Sequence, residues 1–251
     1  MSPDTLVAFI DESHYEDPRY GYFYTMTGAI VDFTRTGAHR EMMRQLDQLA
    51  RSFPSHTLHA HRMAARNPSS LEAAQQAIIE CDAVRLLVTV RTWRSQKSGA
   101  EDARQICLAE LATQLQKTGG VERMTLDTRD QLGASSTSSK PQPGGDNAND
   151  MATLAAMRKA KELDPSTAVD HADDQRVHQL WIPDIVGYVV ARSIAREEPG
   201  YMRILAPKVE LREALVLPVA QRRPGAATLE PTLGPALARH HAHTHSYPDE
   251  K

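Results

Sequence analysis

Near its start the chain reads Thr5-Leu6-Val7-Ala8-Phe9-Ile10-Asp11-Glu12-Ser13, five consecutive apolar residues that stop at a carboxylate. A short, unbroken apolar run suits a strand buried on both faces, which requires a sheet covered by helices on either side. A half-exposed strand would alternate instead. The sequence therefore predicts a buried strand ending at Asp11. In open α/β sheets, ligands and catalytic groups collect in the crevice outside the C-terminal strand ends, so a carboxylate there is a candidate site residue. The competing reading has Asp11 only starting a turn through Glu12 and Ser13.

The rest of the chain supplies the helices and further strands that such a sheet needs. Gly21 to Val31 is rich in aromatic and β-branched residues and follows a turn signal at Asp17-Pro18, so it reads as a hairpin partner of the first strand. Met42, Met43, Leu46 and Leu49 recur at helical spacing between Thr36 and Ser52. Ser69 with Glu72 has the form of a capping box for a helix running to about Cys81. Ala83 to Trp93 is a second buried strand, Ala100 to Lys117 a helix closed by Gly119-Gly120, and Val121 to Asp127 another strand ending in an acid. Helices over about 150–162 and 179–196, with a short strand at Thr167 to Asp170 between them, complete the pattern. From 133 to 149, Ser, Gly, Pro and Asn dominate. That composition buries too little apolar area to offset ordering entropy, so a mobile loop is expected there. The expected fold class is α/β, a mixed β-sheet flanked by helices over residues 1–200, with a Pro-rich, His-rich and partly disordered extension over 201–251.

Composition limits the function. A net charge of -3 gives no global pull towards nucleic acid, so any such binding must come from local basic clusters or a bound metal. Aromatic residues at 5% weigh against a surface built mainly for base stacking. Cys81 and Cys107 fall within helical segments without zinc or redox spacing and read as buried thiols of a reducing compartment. With no apolar run long enough to span a membrane and no signal-type N-terminus, the expectation is a soluble cytoplasmic protein without membrane partners. Glycine-rich phosphate loops, His-Glu-x-x-His and nucleophile elbows are absent. The run His240-His241-Ala242-His243-Thr244-His245 has the composition of a zinc or nickel chelator, but it reads more simply as a flexible tail.

Three carboxylates stand in unusual places. Asp11 and Asp127 each end a buried strand, and Asp184 lies near the start of an apolar helix among Trp181, Ile182, Ile185 and Tyr188. If the two strands are parallel neighbours, Asp11 and Asp127 emerge at the same sheet edge. Converging carboxylates raise each other's pKa unless a cation lies among them, which makes a hard divalent ion such as Mg²⁺ or Mn²⁺ the economical explanation. Two such ions roughly 3.5 to 4 Å apart would clamp the attacking and leaving oxygens of a phosphodiester. Each acid also has a plain structural alternative: Asp184 could serve the helix dipole, and Asp127 could end a strand or pair with Arg123 or Arg129.

Ile10-Asp11-Glu12-Ser13, the strand Tyr22 to Val31, Leu126-Asp127 with Arg129, and Gln179-Leu180-Trp181-Ile182-Pro183-Asp184 together resemble the bacterial family called domain of unknown function 3800, over about residues 5 to 197. The resemblance implies a ribonuclease H-like fold and a metal-dependent nuclease acting on RNA or DNA. It makes Asp11, Asp127 and Asp184 metal ligands and catalytic residues, with Glu12 as an accessory. Where the family tends to place a Glu shortly after a His, this chain has Leu58-His59-Ala60-His61-Arg62-Met63, and His61 or His59 becomes the substitute ligand or proton carrier. The Gly usual after Asp-Glu-Ser is His14. These departures keep a second reading open, a non-catalytic interaction or nucleic-acid-binding protein that retains the fold.

Overall fold

A long hairpin forms the middle of the sheet. In the computed structural model, which describes residues 5–17, 21–93, 99–118, 120–128, 146–196 and 199–214, strands β1 (Leu6–Asp17) and β2 (Gly21–Asp32) pair antiparallel from Leu6↔Asp32 to Asp17↔Gly21. Strand β3 (Val84–Trp93) continues antiparallel on β2, while β4 (Arg123–Asp127) lies parallel to β1. Parallel edge strands β5 (Ala168–Ala172) and β6 (Val209–Glu213) close the two sides, giving the order β5-β4-β1-β2-β3-β6. The class is α/β, a six-stranded mixed sheet flanked by helices, as the sequence predicts.

Each face of the sheet has its own core, and β1 contributes to both. Val7 and Phe9 join the core beneath α1 (Thr36–Ala50), α3 (Pro68–Glu80) and α6 (Trp181–Arg196), and the short α2 (Ala60–Arg66) adds Met63 to it. Ala8 and Ile10 join the core beneath α4 (Ala100–Lys117) and α5 (Asp146–Lys159). Successive strand residues point to opposite faces, so both faces of this run must be apolar, and the unbroken sequence satisfies that. On α4, Cys107, Leu108, Leu111 and Leu115 form the buried stripe, each fully enclosed Leu contributing about 1.5–3 kcal/mol.

Several elements depart from the sequence reading. Strand β1 does not end at Asp11 but runs six residues further, because Glu12 to Asp17 all find antiparallel partners on β2. Pairing to the full length of the hairpin outweighs the polar composition, and no turn forms at Glu12-Ser13. Helix α3 starts at Pro68 behind Asn67 without a side-chain cap, and Ser69 Oγ bonds Asn67 Oδ1 at 2.7 Å instead of closing a box with Glu72. Proline's fixed φ favours the first helical position and sets this start. Helix α5 begins at Asp146, inside the segment expected as loop, since Asp150, Leu154 and Met157 are buried against the α4 side; residues 133–145 lie outside the described residues. The sheet also passes the expected domain end at residue 200, because β6 packs Val209 and Leu211 against the core. The extension from 215, including the His-rich run, lies outside the described residues.

Cys81 and Cys107 are both buried and unlinked, and burial pushes the Cys107 thiol up to about 12. No helix among the described residues is long and apolar enough to cross a membrane.

Candidate functional site

The two strand acids meet by register. Phe9 of β1 lies beside Thr125 of β4 in the parallel ladder, and two residues further along each strand stand Asp11 and Asp127, on the same face. That face is the one covered by α6. Asp11 lies opposite Thr27 of β2, and Ser13 opposite Thr25. Gly187 lets α6 press onto these residues: a Cβ there would stand 3.0 Å from Thr27 Oγ1 and 3.2 Å from Ser13 Oγ, tight enough that these side chains would have to give way by a few tenths of an ångström. Asp184, nearly one turn earlier on α6, is thereby brought into strong electrostatic contact with Asp11. Its Oδ2 accepts the backbone N–H of Ala60, the first residue of α2, at 2.9 Å.

Burial and mutual repulsion dominate the electrostatics. Burial raises the Asp11 pKa well above the carboxylate range, and Asp184, Glu12 and Asp127 add to the rise. Asp127 is pushed up to about 7 by burial and then by Asp174 and Glu12, and Asp184 to about 6 mainly by burial. Among the described residues, no cationic side chain is among the groups that offset these shifts; backbone amides do so instead. A fourth acid, Asp174, belongs to the same group and is raised to about 6, first by burial and then by Asp173. The sequence reading missed it. The only local signal was the doubled acid Asp173-Asp174 just beyond a short strand. His59 Nδ1 lies 3.7 Å from Asp174 Oδ2.

Two expected site residues stand apart. Glu12 follows Asp11 directly on an extended strand and so takes the opposite face, where it pairs with Arg104 of α4. His61 is exposed on α2, its ring centroid 6.0 Å from that of His59, and His59 is the one that reaches the acids. Arg129 lies outside the described residues. Arg104 is only 1% exposed; its Nε donates to Asp150 Oδ1 at 2.8 Å, its Nη1 to Tyr24 at 3.0 Å, and its Nη2 pairs with Asp150 Oδ2. His171 Nε2 lies 3.2 Å from the same Oδ2. Burial works to raise the Asp150 pKa, but the bonds from His171 and Arg104 outweigh it and hold the carboxyl below its usual range.

As a donor set for a metal, Asp11, Asp127 and Asp184 fit in chemistry: they are oxygen donors, partly buried, and among the described residues no cationic side chain is seen to offset their shifts. They are not already drawn around one point, since among the described residues no three His, Cys, Asp or Glu side chains form a group that could hold an ion.

No family model matches the chain, and no curated protein matches it. Among solved structures it is similar to ribonuclease H2 from Pyrococcus horikoshii OT3, with 13% sequence identity and a TM-score of 0.40 over 80% of this chain and 78% of that one.

Proposed function

We propose that the chain is a divalent-metal-dependent nuclease hydrolysing phosphodiester bonds of RNA or DNA, with Asp11, Asp127 and Asp184 as the residues that would hold Mg²⁺ or Mn²⁺. The observation that supports this reading is the mutual electrostatic influence of acids from three separate elements, with no cationic side chain among the described residues offsetting it. When bound, such an ion supplies Lewis acidity that activates water and offsets charge on phosphoryl oxygens. The chain's own part is positioning. Asp11 and Asp127 project from adjacent strands of a rigid sheet, and the Ala60 amide fixes one oxygen of Asp184 and leaves the other free. His59, its pKa held down by burial and then by Arg62, lies beside Asp174, where its imidazole can take up and release a proton.

The second reading, a non-catalytic nucleic-acid-binding or interaction protein, is favoured by the lack of a ready-made three-ligand group among the described residues and by the neutralisation of Glu12 by Arg104. A panel of RNA and DNA oligonucleotides incubated with Mn²⁺ separates the two. Cleavage is expected from the wild type and is lost in Asp11→Asn, Asp127→Asn and Asp184→Asn, which keep side-chain shape and remove charge. An intact panel moves the conclusion to the second reading, and full activity in Asp11→Asn removes the enzyme reading.

A further inference from the structure

A cavity of about 410 Å³ opens where the start of α1 meets the segment between β5 and α6. Its lining includes Arg40 and Arg176, both exposed, and neither has a carboxylate partner among the described residues. The one acid in the wall, Asp47, is already engaged, its Oδ1 3.0 Å from His178 Nδ1. His178 is itself held in place, stacked on Trp181 with ring centroids 4.1 Å apart. The two guanidiniums are therefore surplus positive charge on a fixed wall.

Two further features of the same cavity favour an anion. Helix α1, 15 residues long, starts there with no side-chain cap and no acid in its first turn, so the partial positive charge of its first amides is unanswered, and Thr36 at that end lines the cavity. His39, also in the wall, is 9% exposed, and its Nε2 has no hydrogen-bond partner. An unsatisfied buried polar atom is costly, and a ligand in the cavity can relieve that cost.

We propose that this cavity is a phosphate-binding site, occupied by a backbone phosphate of a polynucleotide that also lies across the Asp11, Asp127 and Asp184 cluster. The inference rests on the nucleic-acid reading above. The link is the short segment after β5: Asp174 belongs to the acid group, while Arg176, at most about 7 Å along the extended chain, and His178 belong to the cavity. A strand with one phosphodiester among the acids thus brings a neighbouring phosphate to the guanidiniums. Polynucleotide suits the cavity better than a small phosphorylated molecule, because its cations stand exposed at the rim, where a passing backbone meets them, and do not enclose a ligand.

The test is binding of labelled single-stranded RNA and DNA oligonucleotides by fluorescence anisotropy, in EDTA and again with Ca²⁺, as salt is varied. The double variant Arg40→Ala/Arg176→Ala, at exposed positions that leave the fold intact, is expected to bind at least about tenfold more weakly. Loss of two phosphate contacts should also make the slope of log K against log salt shallower by about 1.4. Lys117→Ala, in the last turn of α4 on the opposite face of the sheet, should bind as wild type. Unchanged binding in the double variant, equal weakening by Lys117→Ala, or no oligonucleotide binding by the wild type overturns the proposal. So does calorimetric binding of inorganic phosphate or a nucleoside monophosphate that depends on both arginines while oligonucleotide binding does not, which would assign the cavity to a small phosphorylated ligand. Because the readout is binding, a protein that binds through these arginines and never cuts loses only the catalytic reading. One that cuts, yet binds equally well in the double variant, loses only the cavity.

Discussion

Asp11 and Glu12 are neighbours on β1, yet their surroundings are opposite in kind. On the α4 side, Glu12 and the buried Asp150 share Arg104, with His171 and Tyr24 completing the hydrogen bonds. On the α6 side, Asp11 meets Asp127 and Asp184, and among the described residues backbone amides, not cationic side chains, counter the repulsion of these three. The first arrangement is internally neutralised and needs nothing from outside. The second is poised to gain from any cation that arrives, which is why it, and not the better-bonded cluster, is the candidate site. Buried charge by itself does not mark function here; buried charge without its counter-ion does.

The largest effect should come from breaking the satisfied side. Arg104→Leu leaves Asp150 buried with only His171 to answer its charge, and a loss of about 3–5 kcal/mol in urea unfolding is expected. A loss below about 1 kcal/mol would mean that the α4-side network is not the compensated half of the comparison. Next, Mg²⁺ or Mn²⁺ at about a hundred times its dissociation constant should stabilise the wild type by about 2.7 kcal/mol, read as a rise in Tm. That gain should shrink in Asp11→Asn, Asp127→Asn and Asp184→Asn and persist in Arg104→Leu, and a melting temperature indifferent to millimolar metal would sink the metal site. Gly187→Ala should cost about 1–3 kcal/mol by forcing α6 off Thr27 and Ser13, and should weaken the metal response by moving Asp184 away from Asp11. Normal stability with a normal metal response in that variant would show that close helix contact does not build the site.

The smallest effect is on pH dependence, and the two faces carry opposite signs. Asp127, at about 7, and Asp174 and Asp184, at about 6, bind protons more tightly folded than unfolded, where a carboxyl titrates near 3.9. Their contribution to stability is fully present below about pH 4 and is lost as pH rises through 6 to 7. Asp150 is shifted down, so its contribution is present above about pH 4 and is lost on further acidification. Without divalent ions, these acids should therefore lower stability from pH 5 to pH 8 by on the order of 1–2 kcal/mol, after allowance for solvent screening of the half-buried groups, with a partial offset below about pH 6.5 from His39, His59 and His61, whose lowered pKa values act in the opposite sense. Denaturation across that range with and without Mg²⁺ checks this, and stability that instead rises from pH 5 to pH 8 contradicts it.

Much of the architecture was legible in residue order, because the strands and helices are built from apolar residues at regular spacing. The two-faced burial of Val7 to Ile10, the hairpin, α4 and α6 follow directly from their patterns. The parallel adjacency of β1 and β4, stated only as a condition, is what brings Asp11 and Asp127 together. What the sequence hid depends on pairing across distance. The continuation of β1 beyond Asp11 is imposed by β2, and β6 lies in a proline-punctuated stretch whose few apolar residues carry little signal of their own. Glu12 could have been excluded from the Asp11 face by strand alternation, had the strand been extended through it. Arg104 occupies the same helical stripe as Leu108, Leu111 and Leu115, a position where a charge signals a buried partner, yet Asp150 lies 46 residues away and nothing local names it.

The register of the sheet also sets an order of assembly. The hairpin of β1 and β2 closes through neighbours in sequence, whereas β4 joins β1 through pairs such as Val7↔Arg123, and Asp184 reaches Ala60 across 124 positions. Contacts that close long loops are slow to form and carry the larger entropic cost, so the hairpin should nucleate folding, and the β4 and α6 contacts that gather the acids should come late. Those contacts also bring the mutual repulsion of the acids, so this edge should be among the first regions to open in the native state. Amide hydrogen exchange should show the first turn of α6 and the start of α2 exchanging faster than the centre of β2, with the difference narrowing when a divalent ion is added.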